Sequence, residues 1–416
     1  MRKRVLVLVA LVFIVAASAA LAQNDEKVLA LVGGTLIDGT GTPPVPDAIV
    51  IIKGERIAAV GRVGELPIPS AAERIDVAGR WILPGFIDLH VHSACPRNDK
   101  EYYEYTNSLG ALLALNFLNK YLPSGVTSVR DVGSPVEPMQ AIMQAQQRGY
   151  INTIRIFPCG NLITVTGGHG YGLTGGIEVD GPWEWRKAVR EMYKAGFRHV
   201  KISPPYTLEE VKAAVDEAVS QGMRITTHGG GRDTEPPSLT TIAVKGGVQC
   251  VEHASKYEDG LLELMAEKGV HFVPTIYWIK RYYADGRAPE LLKKRGWTLD
   301  VNEQVFKDAV KLNLIIGVGT DFTEEEYAKL YPGLYFSEME YFVELGLSRM
   351  QAIVCATKNG GIILGMQDDL GTVEAGKLAD IQVLGENPLE SFKALGHPEI
   401  VLIGGRIKWS LRMELQ

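Results

Sequence analysis

Hydrophobic positions along this chain follow two patterns, one at both ends and another in the middle. From Val28 to Arg80, short runs of alternating apolar residues are split by Gly and Pro: V-L-A-L-V-G-G-T-L-I-D, D-A-I-V-I-I-K-G-E-R-I-A-A-V-G and A-E-R-I-D-V-A-G-R. Such runs predict the hairpins of a small β-domain. The same pattern returns at the end in G-T-V-E-A-G-K-L-A-D-I-Q-V-L and E-I-V-L-I-G-G-R-I-K-W. The two terminal pieces are therefore expected to pair into one β-sandwich beside a central domain.

The middle repeats strand, loop and helix. It opens with Trp81 to His92, W-I-L-P-G-F-I-D-L-H-V-H, whose apolar, partly β-branched residues predict one strand buried on both faces. Seven more strand-like runs follow: V-T-S-V-R-D-V-G, I-R-I-F-P-C-G, F-R-H-V-K-I-S, M-R-I-T-T-H-G-G, V-Q-C-V-E-H-A, V-H-F-V-P-T and N-L-I-I-G-V-G-T-D. Helical patterns separate them, beginning with Ser108 to Tyr121 and ending near Lys311. Eight strands alternating with helices predict a (β/α)8 TIM-type barrel. A doubly wound open sheet is the alternative, but no G-x-G-x-x-G opens the first βα unit. The resulting division is a leader over 1–22, an N-terminal sandwich segment over 23–80, the barrel over 81–368 and a C-terminal sandwich segment over 369–416.

Length and composition, 416 residues with 46% hydrophobic and 22% charged, suit one large soluble barrel with a satellite domain. The first residues depart from this. Arg2, Lys3 and Arg4 precede an apolar run from Val5 to Val15, and Ala20-Leu21-Ala22 has the small-x-small form of a cleavage site. This predicts a secretory signal cut before Gln23 and an exported protein, periplasmic or secreted. An uncleaved anchor is the alternative, but the apolar stretch is short for a spanning helix, so no stable membrane anchor is expected. Cleavage removes three positive charges, taking the formal charge from −6 to −9, which argues against a nucleic-acid partner. Cys95, Cys159, Cys250 and Cys355 are widely spaced with no C-x-x-C, so neither a zinc knuckle nor a disulfide scaffold is indicated; an exported chain could still pair two of them.

In a barrel of this type the site lies at the C-terminal mouth of the strands. His90 and His92, two residues apart on one strand, point the same way with Asp88 behind them, about 7 Å between alternate residues, and can grip one divalent cation. Lys201, His228, His253 and Asp321 stand at the ends of strands four, five, six and eight. Singly, each has an ordinary explanation: a hydrogen-bonded structural His, a Lys reaching solvent, an Asp capping a turn. Together, so many nitrogen and oxygen ligands converging on one mouth have few structural uses.

These residues, P-G-F-I-D-L-H-V-H, Lys201, His228, V-E-H253 and G-T-D321, resemble the amidohydrolase superfamily in order and strand, and G-T-V-E-A-G-K-L-A-D380 resembles its usual return into the small β-domain. The stretch T-G-G-H-G (Thr166 to Gly170) is similar to the imidazolonepropionase-like branch that contains Xaa-Pro and related metallodipeptidases. The resemblance implies two divalent metal ions, zinc being the expected ion. His90, His92 and Asp321 would hold one and His228 with His253 the other, bridged by Lys201 carboxylated by carbon dioxide. A Lys buried between cations loses its proton and can become an anionic carbamate. Two such ions about 3.5 to 4 Å apart can share a hydroxide that attacks an amide carbonyl. Asp321 would accept its proton and pass it to the leaving amine. His169, in its glycine-flanked loop, would hydrogen-bond the substrate carbonyl or its oxyanion.

One position departs from the pattern: similar dipeptidases often carry Tyr or His two residues after the strand-five His, where this chain has Gly230 in H-G-G-G-R. Tyr206 and Tyr277 are candidates to fill the space, and Arg232 to pair a substrate carboxylate; each has an ordinary surface or packing role as its alternative. Aromatic pieces at Trp183 to Trp185, Tyr277-Trp278 and Tyr331 to Phe336 suit an apolar substrate wall, loop packing or a dimer contact, so a homo-oligomer stays open. Glu324 to Glu326 read as the start of the last barrel helix. The expected function is hydrolysis of a small-molecule amide, a dipeptide or N-acyl amino acid. A mononuclear cyclic-amide hydrolase of the imidazolonepropionase type is the first alternative, against which Lys201 counts. A non-catalytic secreted binding barrel is the second, against which the complete set of site residues counts.

Overall fold

The structure, a computed structural model, describes residues 27–95, 105–170, 176–230, 236–284, 286, 290, 297–323 and 333–411. The expected leader, residues 1–22, lies outside them, as do Glu324 to Glu326 and Tyr331.

The terminal pieces join as one hydrogen-bonded eight-stranded sheet rather than as two separate sheets. Val28–Leu36 pairs antiparallel with Val45–Lys53, and that strand with Arg56–Arg62. On the other side, Trp81–Pro84 runs parallel to Val28–Leu36 and antiparallel to Ile381–Leu384, which continues into Ile400–Ile403 and Arg406–Ser410. Trp81–Pro84 is thus the strand that unites the two ends of the chain. Inward residues from both ends, among them Leu31, Val50, Ile82, Val383 and Leu402, form a separate apolar cluster.

The single strand expected over Trp81 to His92 is therefore two strands. The chain leaves the terminal sheet at Gly85 and begins Phe86–His92 in the central domain. A Cβ at Gly85 would lie 2.2 Å from Thr127 Cγ2 and Oγ1, while the Gly85 amide donates to Asp380 O at 2.9 Å. Only glycine fits where the two layers approach so closely. Pro84-Gly85 punctuates the run in the sequence, and in the structure it separates two strands that are both buried.

Two parallel sheets make the central domain. One orders Phe322–Thr323, Phe86–His92, Val126–Asp131 and Arg155–Pro158; the other orders Ile177–Glu178, Ile163–Thr164, His199–Ile202, Arg224–His228, Cys250–Glu252 and His271–Val273. Residues 315–321 bond to both. The Phe272 amide donates to Ile315 O at 3.0 Å and the Leu89 amide to Val318 O at 2.9 Å. The eighth expected strand is irregular, reduced to a bridge at Ile316 and the short Phe322–Thr323.

Helices between the strands are started by local chemistry. Thr207 and Glu210 form a reciprocal capping box on Leu208–Ser220, and Ser238 caps Leu239–Gly246. Their apolar faces join the main core through Trp185, Val189, Val211, Ala214 and Val244. A bidentate ion pair, Arg155 Nε to Asp380 Oδ2 at 2.7 Å and Nη2 to Oδ1 at 3.0 Å, ties the central domain to the terminal sheet. Among the described residues no helix is long and apolar enough to cross a membrane.

Candidate metal centre

The expected ligands sit at strand ends or one residue beyond. His90 and His92 lie on Phe86–His92, Lys201 on His199–Ile202 and His228 at the end of Arg224–His228; His253 follows Cys250–Glu252, and Asp321 precedes Phe322–Thr323. His90, His92 and Asp321 each offer a ligand atom within 4.8 Å of the others. The Nε2 atoms of both histidines aim at Asp321 Oδ1, at 3.2 and 3.3 Å. His253 extends the cluster, its ring 4.7 Å from that of His90 and 4.4 Å from that of His228. His169 completes the row with its ring 4.0 Å from that of His228.

Hydrogen bonds behind the rings set which nitrogen faces the centre. His90 Nδ1 bonds Glu252 Oε2 at 2.8 Å, and His92 Nδ1 bonds Gly133 O at 3.0 Å. A carboxylate and a carbonyl only accept, so in both rings Nδ1 carries the proton and Nε2 keeps its lone pair for a cation. His253 Nδ1 bonds Thr275 Oγ1 at 2.7 Å and lies 3.8 Å from Asp321 Oδ2.

His253, Thr275 and Asp321 adopt φ values of 68°, 45° and 55°. Three non-glycine residues in the left-handed region, two of them candidate ligands, show backbone conformation subordinated to the geometry of the site. For His253 the consequence is direct. Alternation along an extended strand would send Glu252 and His253 to opposite sides, but the left-handed turn lets Glu252 bond the back of His90 while His253 faces that ring.

Electrostatics point to a cation. Burial works against the charge of Asp321, yet the facing His90 and His253 hold its carboxyl well below the usual range. Burial also opposes charging His92, but bonding to Asp321 and then Cys95 raises its pKa well above the ordinary value. In the protein alone a proton thus gathers where a metal ion would sit. Burial, then the neighbouring His169 and His253, hold His228 well below its ordinary value; burial lowers His253 likewise. Neutral imidazoles are the form that ligates.

Lys201 tests whether the residues suit a bridged pair of cations. Its Nζ is buried without a hydrogen-bond partner among the described residues, and burial lowers its pKa despite the nearby Glu252 and Asp321 carboxylates. A stranded ammonium is costly to bury, whereas a neutral amine is a nucleophile toward carbon dioxide. With imidazole nitrogens and a carboxylate around it, this donor set fits divalent ions.

Several residues that build the site, Asp88 apart, were not singled out from the sequence. Glu252 accepts from Arg130 Nη2 at 2.5 Å as well as from His90, all three side chains being buried. Asp131 accepts from the Ser93 amide at 2.7 Å, Ser93 Oγ at 2.6 Å and Ser134 Oγ at 2.8 Å, fixing the loop that follows His92. Asp88 accepts from Thr320 Oγ1 at 2.7 Å and Tyr121 Oη at 2.8 Å, binding its strand to the residue before Asp321. The signal for Glu252, Arg130 and Asp131 was present: charged side chains inside strands otherwise covered on both faces. Trp297, whose ring stacks on His228 at 5.8 Å, carried no such signal.

Of the expected substrate contacts, His169 stands in the histidine row, and Tyr206 and Tyr277 make other contacts. Tyr206 is buried with its hydroxyl 2.8 Å from Thr227 Oγ1 and its ring against Trp185, an arrangement that packing alone explains. Tyr277 is the second residue of the helix Ile276–Ala284, with its ring against Tyr341 and its amide donating to Glu338. Arg232 lies outside the described residues. Tyr335 and Phe336 pack on Phe86, Trp185 is buried and Trp183 is exposed. All four cysteines are buried and unpaired with one another.

Known proteins share this sequence and shape. The amidohydrolase family profile matches residues 81–408. Ochratoxinase of Aspergillus niger is 29% identical over 440 aligned positions that span 92% of this chain and 86% of that protein. A Xaa-Pro dipeptidase with methionine bound in its active site superposes with a TM-score of 0.80 at 27% identity, covering 92% of this chain and 99% of its own. A prolidase complexed with N-methylphosphonate-L-proline gives 0.80 at 29% identity with the same coverage. These neighbours imply a TIM-barrel-type fold with an extra domain, in keeping with the parallel central sheets and the terminal sheet.

Proposed function

Because the chain belongs to the amidohydrolase family and is a hydrolase acting on amide bonds, we propose that it cleaves the amide of a dipeptide or N-acyl amino acid at a centre for two divalent cations, zinc by expectation. The two central sheets form one closed (β/α)8 barrel in this reading, with residues 23–80 and 369–416 as the second domain. His90, His92 and Asp321 would hold one cation and His228 and His253 the other, and Lys201, carboxylated by carbon dioxide, would supply a shared anionic ligand. The observation that carries the reading is the buried, partnerless Nζ of Lys201 beside the His90–His92–Asp321 cluster.

Bound cations would supply an acidified water and a polarised carbonyl. The chain's residues do the rest. Asp321 takes the proton of the attacking water and delivers it to the leaving amine nitrogen as the carbon–nitrogen bond breaks. His169, at the end of the histidine row, donates to the substrate carbonyl oxygen and its developing negative charge. Glu252 and Gly133 O hold His90 and His92 in the tautomer that keeps Nε2 for ligation. The prolidase neighbour complexed with N-methylphosphonate-L-proline supports a substrate whose amine-side residue carries a free carboxylate, and the leader-like sequence over 1–22 supports export to the periplasm or medium.

The test is a screen of dipeptides and N-acyl amino acids on metal-reconstituted protein, with metal content measured on wild type, Lys201→Ala and Lys201→Arg. Wild type should bind about two ions and turn over at least one member of the panel. Both variants should lose activity, since alanine removes the bridge and a guanidinium stays charged and cannot be carboxylated. Near-full activity with two ions in Lys201→Arg would disprove the bridge, and about one ion in active wild type would favour the mononuclear mechanism.

A further inference from the structure

Two buried donors next to the histidine row lack any acceptor among the described residues. Trp297 and Ser255 are 7% and 1% exposed, and neither Trp297 Nε1 nor Ser255 Oγ makes a hydrogen bond. They converge on one spot. A Cβ at Gly230 would lie 2.2 Å from Ser255 Oγ and 2.9 Å from Trp297 Nε1. Gly230 itself is fixed, with φ +78° and its amide donated to Thr240 Oγ1 at 2.9 Å. Asn302 Nδ2 bonds Ala254 O and so holds the segment that carries Ser255.

The pair borders the reaction centre. The Trp297 indole lies 5.8 Å from the His228 ring at an interplanar angle of 23°, and 5.9 Å from the His253 ring. Buried polar groups are almost always satisfied, so two neighbouring donors left without an acceptor mark a place that a ligand oxygen completes. An indole N–H donates and cannot accept, and a serine hydroxyl can donate beside it. An oxygen that accepts from both would complement them, and a carboxylate does so with full negative charge. In a dipeptide or N-acyl amino acid, the acceptor-only group that is not being cleaved is the carboxylate.

We propose that Ser255 and Trp297 are specificity residues that bind the free carboxylate of the substrate beside His228 and His253. This rests on the amide-hydrolase reading for its substrate class, but its geometry stands on the unpaired donors. Gly230 is then required because any side chain there would collide with both donors. Recognition by two neutral donors would leave the carboxylate charged and prefer it over an alcohol of the same shape.

The experiment is calorimetric binding of L-methionine and of L-methioninol, which replaces the carboxylate by an alcohol, to metal-reconstituted full chain. Wild type should prefer methionine. Trp297→Phe, which keeps a ring against His228, and Ser255→Ala should each reduce methionine affinity about ten-fold or more, as expected for losing a hydrogen bond to a charged group. Methioninol affinity and circular dichroism should stay unchanged, and either variant decides the question if the other fails to fold. No preference for methionine in wild type, an undiminished preference in the variants, or equal loss for both ligands overturns the proposal. Binding is read without turnover, so a protein that shows this preference yet cleaves no amide overturns the functional reading and leaves the pocket standing.

Discussion

Glu252 accepts from His90 Nδ1 at 2.8 Å and from Arg130 at 2.5 Å inside the central domain, so one carboxylate both orients a candidate ligand and neutralises a buried guanidinium. Burial opposes its charge, but Arg130 first, then Lys201 and His90, keep it ionised by holding its pKa below the ordinary carboxylate range. Glu252→Gln would leave Arg130 buried without a counter-charge, a class of change that costs about 3 kcal/mol or more. It would also weaken the hold on the His90 tautomer, which typically lowers metal affinity about 10- to 100-fold. Urea denaturation and metal titration of the variant should show both losses together. Stability within about 1 kcal/mol of wild type would mean that Arg130 finds another partner.

Between elements, Glu338 on the helix Gly333–Glu344 accepts the amides of Ile276 and Tyr277, at 2.9 and 2.6 Å, where the helix Ile276–Ala284 begins. Burial pushes its carboxyl up to about 8, against the opposing effect of those amide bonds. The folded chain therefore keeps a proton that the unfolded chain, at the ordinary value of 4.5, has already released. Stability from this group is fully present below the unfolded value and is lost as pH rises through the folded one. Wild type should lose stability relative to Glu338→Gln between pH 5 and pH 8, read by urea denaturation at both values. A difference independent of pH would show that Glu338 is ionised throughout.

On the scale of the whole molecule, the two ends of the chain meet in one sheet, and the Arg155–Asp380 ion pair locks that sheet to the central domain. The mature chain beginning at Gln23 would have only a few residues before Val28, where the sheet starts, so removal of the leader leaves every described strand intact. Exported protein should begin at Gln23, as Ala20 and Ala22 satisfy the small-residue rule. N-terminal sequencing that finds Met1 on exported material would refute this.

What the sequence determined by itself was local. The alternation of strand and helix, the H-x-H on a buried strand and the placement of Lys201, His228, His253 and Asp321 at strand ends follow from side-chain periodicity, which needs no knowledge of neighbours. Tertiary structure decided what depends on pieces far apart in the chain. Position 85 needs glycine because Thr127 leaves no room for a Cβ there, and the grip on His90 comes from Glu252, 162 residues away. The left-handed turns at His253 and Asp321 undo the alternation on which a strand reading relies. Trp297 reaches the histidines only because the folded chain brings its indole over His228. Periodicity specifies which face a residue occupies, but the partner on that face is fixed by the register and packing of strands that only the folded chain brings together.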